Sequence, residues 1–134
     1  MIARKLLVAA GFGALLASAA EAQVSVKLSV LNDMSGLYAD ISGPGSVVAA
    51  RMAVEDFKAT DKGIKAEVVS ADHQNKPDIG SAIARKWFDQ DGVDMIVDLT
   101  TSSVALAVQE VARSKNKAVL ISAHNRRQEQ ERKQ

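Results

Sequence analysis

Four consecutive residues with hydroxyl side chains, Thr100-Thr101-Ser102-Ser103, are the part of this sequence best suited to bind a small anion. They separate a short apolar run from a segment with helical periodicity, so we expect them to lie where a helix begins. Hydroxyl groups and free backbone N–H groups at that position suit a carboxylate, helped by the positive end of the helix dipole. The alternative is a plain helix cap. Because a cap needs only one hydroxyl, the pattern favours an anion site.

A tyrosine and an Asp-His pair are the other side chains that could take part in binding or catalysis. Tyr38 lies in a polar loop after the first apolar run, where it could stack on a ligand or simply cover the loop. Asp72 and His73 follow the second apolar run, where they could form a catalytic pair or a turn. No motif places a serine or cysteine nucleophile beside them, and the G-x-S-x-G pattern of hydrolases does not occur. We therefore assign no catalytic residue.

The glycines of Gly43-Pro44-Gly45 lie between a predicted strand and a predicted helix, as in a dinucleotide-binding turn. In that fingerprint the first glycine comes directly after the strand. Here a long loop intervenes, and Val48 replaces the third glycine. The sequence also has no cysteine, which excludes disulfides and thiolate metal sites. We predict no cofactor and no metal site.

Residues 1–22 have the pattern of a secretory signal peptide. Arg4 and Lys5 form a positive region, an apolar run from Leu6 to Ala20 follows, and Ala20-Glu21-Ala22 is a small-x-small cleavage site. The apolar run is shorter than the roughly 20 residues that cross a bilayer. We expect cleavage after this site, a periplasmic mature chain and no stable membrane insertion.

The rest of the chain alternates between short apolar runs and segments with helical periodicity. Strands are predicted at Val24–Asn32, Ile64–Ala71, Val93–Leu99 and Ala118–Ser122. Helices are predicted from Gly45 to about Thr60, from Pro77 to Gly92 and from a cap at Ser102 or Ser103. Strands that alternate with helices form a parallel sheet with right-handed crossovers. The predicted fold is of the α/β class, an open parallel sheet with flanking helices, which binds ligands at the carboxyl ends of its strands.

Each predicted helix has one apolar face, and these faces supply the predicted core. The three faces are Val47, Ala50, Val54 and Phe57; Ile79, Ala82, Ile83 and Trp87; and Val104, Ala107, Val108, Val111 and Ala112. Trp87 and Phe88 are most simply core residues.

The charges are distributed unevenly, because the first and last segments hold a basic excess and the middle is slightly acidic. A slightly acidic middle gives no reason to expect nucleic acid or an anionic membrane as a partner. Residues 124–134 contain no apolar residue and are expected to form a disordered tail. Glutamates and glutamines in this tail argue against a basic arm for nucleic acid.

Residues Val24 to Ser122 resemble the amino-terminal part of a periplasmic substrate-binding protein of an ABC transporter, of the branched-chain amino acid (Leu/Ile/Val-binding) type. The resemblance rests on the LNDMSG loop, the AVEDF helix, the SADHQNKP turn and the GVDMIVDLTTSSVALAV segment, preceded by an export signal. It implies the type I periplasmic binding protein fold, in which two α/β lobes close over a ligand by hinge motion. Such proteins deliver amino acids, or small amides and aromatic acids, to a membrane permease and are not enzymes.

The resemblance also implies roles for three residues. In the family, the loop after the third strand binds the ligand carboxylate, and Thr101 and Ser102 occupy that place here. The loop after the first strand supplies a side chain near the ligand, and Tyr38 matches it best. The implied partners are a small-molecule ligand, an amino acid or small carboxylate, and an ABC permease.

The chain departs from the family pattern after Ser122, where residues 124–134 replace the expected continuation. The tail is interpreted as out-of-frame or out-of-family sequence on a truncated gene. Residues 23–123 are therefore expected to form a partial first lobe that binds no amino acid usefully alone. The alternative is a genuine short protein that pairs with a partner supplying the rest. Two other functions stay open: an exported α/β hydrolase-like enzyme built on Asp72 and His73, and a partner-binding module whose tail engages another protein.

Overall fold

The computed structural model describes residues 23–122, so the predicted signal peptide (1–22) and the polar tail (124–134) lie outside the described residues. The described chain forms β1 (Val24–Asn32), α1 (Gly43–Asp56), β2 (Ile64–Asp72), α2 (Pro77–Asp89), β3 (Met95–Val97), α3 (Ser102–Ser114) and β4 (Ala118–Val119). A short 3-10 helix, Thr60–Lys62, leads into β2. Within this part of the chain, no helix has the length and apolar character needed to span a bilayer.

The four strands are parallel and form one sheet in the order β2-β1-β3-β4. β1 pairs with β2 along its whole length and with β3 over its second half, where Val30 lies opposite Val97. Right-handed crossovers place α1 on one face of the sheet and α2 and α3 on the other, because the chain changes direction after β2. This arrangement confirms the predicted open parallel sheet. The change of direction occurs beside β1, where such sheets bind ligands.

The main hydrophobic core lies between the sheet and the pair α2–α3. Its buried members are Leu31, Ala84, Trp87, Phe88, Val93, Ile96, Leu99, Val104, Ala105, Val108, Val111 and Ala112. Trp87 and Phe88 are thus core residues, as predicted. The predicted face of α2 is wrong at Ala82, which is exposed, because the helix turns Gly80 and Ala84 towards the interior instead.

Four elements are shorter than predicted, and backbone geometry explains two of them. α2 ends at Asp89 rather than at Gly92. α1 ends at Asp56 rather than near Thr60, since Lys58 adopts the left-handed conformation, with φ 52°. β3 ends at Val97 rather than Leu99, since Asp98 has φ 56°. β4 holds only two residues. The predicted apolar face of α1 is also incompletely buried, because Phe57 is 55% exposed.

Helices α2 and α3 approach closely at Gly80, where an added Cβ would lie 2.5 Å from Val104 Cγ1. We expect Gly80→Ala to lower the free energy of unfolding by about 1–2 kcal/mol, because overpacking outweighs the roughly 1 kcal/mol gain in helix propensity. Urea denaturation of the full chain measures this change.

Gly45→Ala in α1 is the matched control, since nothing lies within 4 Å of a Cβ added there. This variant should be neutral or slightly stabilising, because only the propensity gain applies. Equal stabilisation by both alanines would contradict the close approach at Gly80.

Candidate functional site

Three loops meet at the carboxyl ends of β1, β2 and β3, at residues 33–42, 73–76 and 98–101. Parallel strands deliver these loops to the same edge of the sheet. Each loop carries one of the groups singled out in the sequence: Tyr38 in the first, His73 in the second and Thr101 in the third.

Asp33 folds the first loop around its own carboxylate. The residue is fully buried, and its two oxygens accept hydrogen bonds from the N–H groups of Gly36 (2.8 Å) and Tyr38 (3.1 Å). A Cβ added at Gly36 would lie 2.6 Å from Asp33 Oδ2, so only glycine lets the backbone pass this close. The result is a compact loop that holds the backbone of Tyr38 in place.

Asp72, at the end of β2, ties the first and second loops together. Its carboxylate accepts hydrogen bonds from Met34 N–H (3.0 Å), the Ser35 hydroxyl (2.6 Å) and Gln74 N–H (2.7 Å). Burial raises the pKa of Asp72, but these hydrogen bonds and the nearby His73 outweigh it and hold the pKa below its ordinary value. The carboxylate therefore organises a turn, which was the alternative to a catalytic pair.

The side chain of Asn32 links the first and third loops from a fully buried position. Its Oδ1 accepts hydrogen bonds from the N–H (3.2 Å) and the hydroxyl (3.1 Å) of Thr100. Its Nδ2 donates to Asp98 Oδ2 (3.1 Å) and to the Ser42 carbonyl (3.4 Å). The Thr100 and Ser42 hydroxyls are also hydrogen-bonded, at 2.9 Å. One buried amide thus fixes the start of α1 relative to the segment that leads into α3.

Asp98 turns the chain directly after β3. Its positive φ lies in the left-handed region, which aspartate tolerates better than most residues. Its carboxylate accepts hydrogen bonds from Asn32 Nδ2 and the Ser122 hydroxyl. These contacts hold the turn that brings Thr100 and Thr101 to the site.

A pocket of about 460 Å³ lies between the first and third loops. Its lining residues are Tyr38, Ile41, Ser42, Asn75, Thr100, Thr101, Ser102 and Ser103. The structure therefore brings together all three residues that the sequence singled out for ligand binding: Tyr38, Thr101 and Ser102. The volume falls within the roughly 300–1,000 Å³ typical of small-molecule sites.

Thr101 holds a buried hydroxyl that has no hydrogen-bond partner among residues 23–122. Thr101 is the N-cap residue of α3, so the predicted cap at Ser102 or Ser103 is wrong, and no side-chain cap hydrogen bond forms. An unpaired buried hydroxyl costs free energy, and the first N–H groups of any helix lack partners within it. The pocket therefore offers hydrogen-bond donors and the positive end of a helix dipole to an anionic group.

His73 is fully buried beneath the second loop and does not line the pocket. Its Nδ1 accepts a hydrogen bond from Asn75 N–H (2.9 Å), whereas Nε2 has no partner within the described chain. Burial lowers the pKa of His73, opposed by the carboxylates of Asp33 and Asp72. This environment suits a neutral imidazole with its proton on Nε2. No cluster of three metal-binding side chains occurs in residues 23–122.

The supporting residues of the site, Asn32, Asp33, Ser42 and Asp98, were not identified from the sequence. The sequence pattern that could have identified Asn32, Asp33 and Asp98 is weak, because it consists only of polar residues at or directly after the end of an apolar strand. Buried polar groups need hydrogen-bond partners, so Asn32-Asp33 at the end of β1 marks a point where other loops must converge. Which loops supply those partners cannot be read from spacing along the chain.

Replacing Asn32 tests whether its amide holds the third loop. We expect Asn32→Leu to lower the free energy of unfolding by about 2–3 kcal/mol, because it leaves buried partners unpaired at a cost of roughly 1–3 kcal/mol each. The Thr100 amide should also exchange faster with solvent deuterium, as followed by NMR.

Ser29→Ala is the control, because Ser29 is equally buried on β1 but makes one hydrogen bond, to the Met95 carbonyl (3.3 Å). It should cost about 1 kcal/mol and leave exchange at Thr100 unchanged. Unaltered Thr100 exchange in Asn32→Leu would show that the amide does not position the loop.

His73 makes stability depend on pH, because its folded-state pKa lies below the ordinary value of 6.5. The unfolded chain then binds more protons as pH falls through that value, so the free energy of unfolding decreases with acidification. We expect this decrease between about pH 7 and about pH 5 in urea titrations. His73→Gln should lack it, while its amide oxygen keeps an acceptor for Asn75 N–H.

Two other titratable side chains, His124 and Asp72, do not account for a difference in pH dependence between the parent chain and His73→Gln. His124 is present in both chains, and the stabilisation from Asp72, whose pKa lies below 3.8, is lost only at lower pH. The same pH dependence in His73→Gln as in the parent chain would refute this role of His73.

A family model described as periplasmic binding protein matches residues 25–133. The match continues past Ser122 into the polar tail, which the sequence pattern had placed outside the family. That placement is not supported by the match. A search of curated proteins found no match.

Solved structures of periplasmic binding proteins share this fold. A periplasmic binding protein from Burkholderia mallei is 46% identical with a TM-score of 0.71, over 75% of this chain and 27% of that one. A branched-chain amino acid ABC transporter periplasmic ligand-binding protein from Burkholderia xenovorans is 47% identical with a TM-score of 0.69, over 73% and 26%. A branched-chain amino acid transporter substrate-binding protein from Streptococcus pneumoniae, in complex with isoleucine, is similar in fold, with a TM-score of 0.68 at 20% identity, over 75% and 29%. The chain spans about a quarter of the length of the two Burkholderia structures.

Proposed function

We propose that this chain, which belongs to the periplasmic binding protein family, forms one wall of a binding site for amino acids or related small carboxylates in ABC-transporter uptake. The observation that carries the proposal is the unpaired, buried Thr101 hydroxyl in a pocket at the N-terminus of α3. The similar protein from Burkholderia xenovorans, described as a branched-chain amino acid ligand-binding protein, supports this class of ligand.

The ligand carboxylate would accept hydrogen bonds from Thr101, Ser102 and the first N–H groups of α3. Tyr38 would pack against the rest of the ligand, since its side chain lines the same pocket. Leu37 and Ile41 stand beside it, 80% and 79% exposed. Apolar side chains exposed at a rim suit contact with an opposing wall that closes over the ligand.

The opposing wall is not contained in residues 23–122. Small-molecule sites bury about 70–90% of the ligand surface, and one wall cannot do so. We infer that useful affinity requires the part of the fold that lies outside the matched quarter of the similar structures. The family binds solutes rather than catalysing reactions, and the buried, turn-forming His73 offers no support for the hydrolase alternative. In this proposal, residues 1–22 direct export of the chain, and the bound solute is delivered to a permease.

A chimera with a complete site tests the role of Thr101. In it, residues 23–122 replace the aligned segment of the Burkholderia xenovorans protein, and calorimetry against the twenty amino acids identifies its ligand. We expect Thr101→Val to weaken binding about tenfold or more, because a hydrogen bond to a charged group contributes roughly 1.5–3 kcal/mol. The 134-residue chain alone should show no micromolar affinity.

Ser70→Ala, which removes an exposed hydroxyl on β2 outside the pocket, should leave the affinity of the chimera unchanged. Equal affinities for the parent chimera and Thr101→Val would reject the carboxylate site. Micromolar binding by the chain alone would reject the requirement for a second wall.

A further inference from the structure

The second loop, residues 73–76, reaches the pocket through Asn75 and holds two residues in an unusual backbone conformation. Gln74 and Asn75 have φ angles of 50° and 55°, in the left-handed region. That region is unfavourable for residues with a side chain, although asparagine tolerates it better than most. The loop therefore needs contacts that hold it in this conformation.

Two side chains at the end of β2 provide these contacts, and each accepts a hydrogen bond from the backbone two residues further on. Asp72 Oδ1 accepts from Gln74 N–H (2.7 Å), and His73 Nδ1 accepts from Asn75 N–H (2.9 Å). Aspartate and asparagine commonly make this contact in turns. A histidine makes it only while Nδ1 carries no proton, because both nitrogens of an imidazolium are donors. The backbone of Asn75 is therefore held by a contact that depends on the protonation of His73.

His73 packs against β1 and α2 and is fully buried. Its N–H donates to the Asn32 carbonyl (3.0 Å), and a Cβ added at Gly80 of α2 would lie 3.6 Å from His73 Cβ. The charged groups of the described chain that act on the ring are the carboxylates of Asp33 and Asp72, which favour the imidazolium. Burial outweighs them and lowers the pKa of His73, so the ring is neutral at neutral pH and Nδ1 can accept.

Asn75 is the residue of the second loop that a ligand in the pocket can contact. It is exposed and lines the pocket together with Tyr38, Ile41, Ser42 and residues 100–103. Among these described lining residues, Asn75 alone carries an amide, and none carries a charge. The hydroxyls and N–H groups at the start of α3 are donors for a carboxylate, whereas the amide oxygen of Asn75 can accept a hydrogen bond from another part of the ligand.

We propose that the Asn75 amide is a specificity-determining contact of this site and that His73 is the residue that positions it. The amide oxygen accepts a hydrogen bond from an N–H or O–H group of the ligand, and the unprotonated Nδ1 of His73 holds Asn75 where it can do so. The ligand is then a small carboxylate that also carries a hydrogen-bond donor, such as the ammonium group of an amino acid. The ligand contact rests on the proposed function, whereas the positioning of Asn75 by His73 does not.

NMR on the full 134-residue chain tests the positioning role. The ring resonances of His73 report its protonation, and the protection factor of the Asn75 amide against solvent exchange reports the loop contact. We expect this protection factor to fall about tenfold with the same midpoint as the ring titration, because a protonated Nδ1 no longer accepts the hydrogen bond. The Gln74 amide should keep its protection, since the pKa of its partner Asp72 lies below the ordinary value.

Two substitutions of His73 separate this contact from a general effect of the buried ring. His73→Asn should keep the Asn75 amide protected and remove the pH dependence, because an asparagine oxygen accepts from the backbone two residues on and does not titrate. His73→Leu, which fills the buried position without an acceptor, should leave the Asn75 amide unprotected at every pH.

Calorimetry on the chimera tests the ligand contact. Asn75→Gly removes the amide but leaves the left-handed conformation available, and we expect it to weaken binding about fivefold or more. His73→Leu should also weaken binding, and His73→Asn should retain it. Gln74→Gly is the matched control, because it changes the neighbouring left-handed residue, which does not line the pocket, and it should leave the affinity unchanged.

Protection of the Asn75 amide that ignores the His73 titration, or that survives in His73→Leu, would overturn the positioning role. Equal affinities of Asn75→Gly and the parent chimera would overturn the ligand contact while leaving the carboxylate site of the proposed function intact. A chimera that binds none of the twenty amino acids would reject the proposed function and the Asn75 contact together. The NMR measurement decides the role of His73 in either case, because it requires no ligand.

Discussion

Hydrogen bonding of β1 to a neighbour on each side is the interaction on which the rest of this structure depends. β1 pairs with β2 along its full length and with β3 towards its carboxyl end. The chain passes from β1 to β2 on one side of it, and then crosses over to β3 on the other side. The connections that follow β1 and β2 therefore run in opposite directions from this strand. Asn32 lies at the point of divergence, and its buried amide contacts residues from the loops that follow both β1 and β3.

Polar groups at this edge of the sheet fall into two sets with different physical roles. Asn32 and Asp33 lie beneath the loops and have their hydrogen bonds satisfied within the protein. A satisfied buried network favours one arrangement of the loops, because any other leaves costly unpaired groups. Thr101 lines the pocket, and its buried hydroxyl is unpaired within residues 23–122. A rigid support thus presents an unsatisfied donor, which is the arrangement that a preorganised binding site requires.

The described part of the chain is incomplete on two surfaces. The pocket has one wall, and the α1 face has one helix over four strands. The hydrophobic core on the opposite face is formed by a cluster of buried apolar residues, and their burial stabilises the described residues. Exposed Phe57 and Leu120 give no such contribution until another surface covers them. Both openings are consistent with a chain that spans about a quarter of the similar structures.

The local pattern of residue types was sufficient to predict the fold class and part of the hydrophobic core. Alternating apolar runs and helical periodicity identified the α/β class, the parallel sheet and the core residues Trp87 and Phe88. The family resemblance selected Thr101, Ser102 and Tyr38, and the fold brought these residues to one pocket. Strand ends and helix starts were less predictable, because they depend on single backbone conformations such as the left-handed Asp98.

Only the tertiary structure decided how the site is supported and which surfaces remain open. The partners of Asn32 are 10 and 66 to 68 residues away along the chain, so sequence spacing carries no record of these contacts. The face of α1 that reads as apolar in the sequence is uncovered at Phe57, because periodicity reports that a side chain is suited to burial but not whether a partner surface is present. A pattern of residue types is a local property, whereas burial and hydrogen-bond satisfaction depend on segments that only folding brings together.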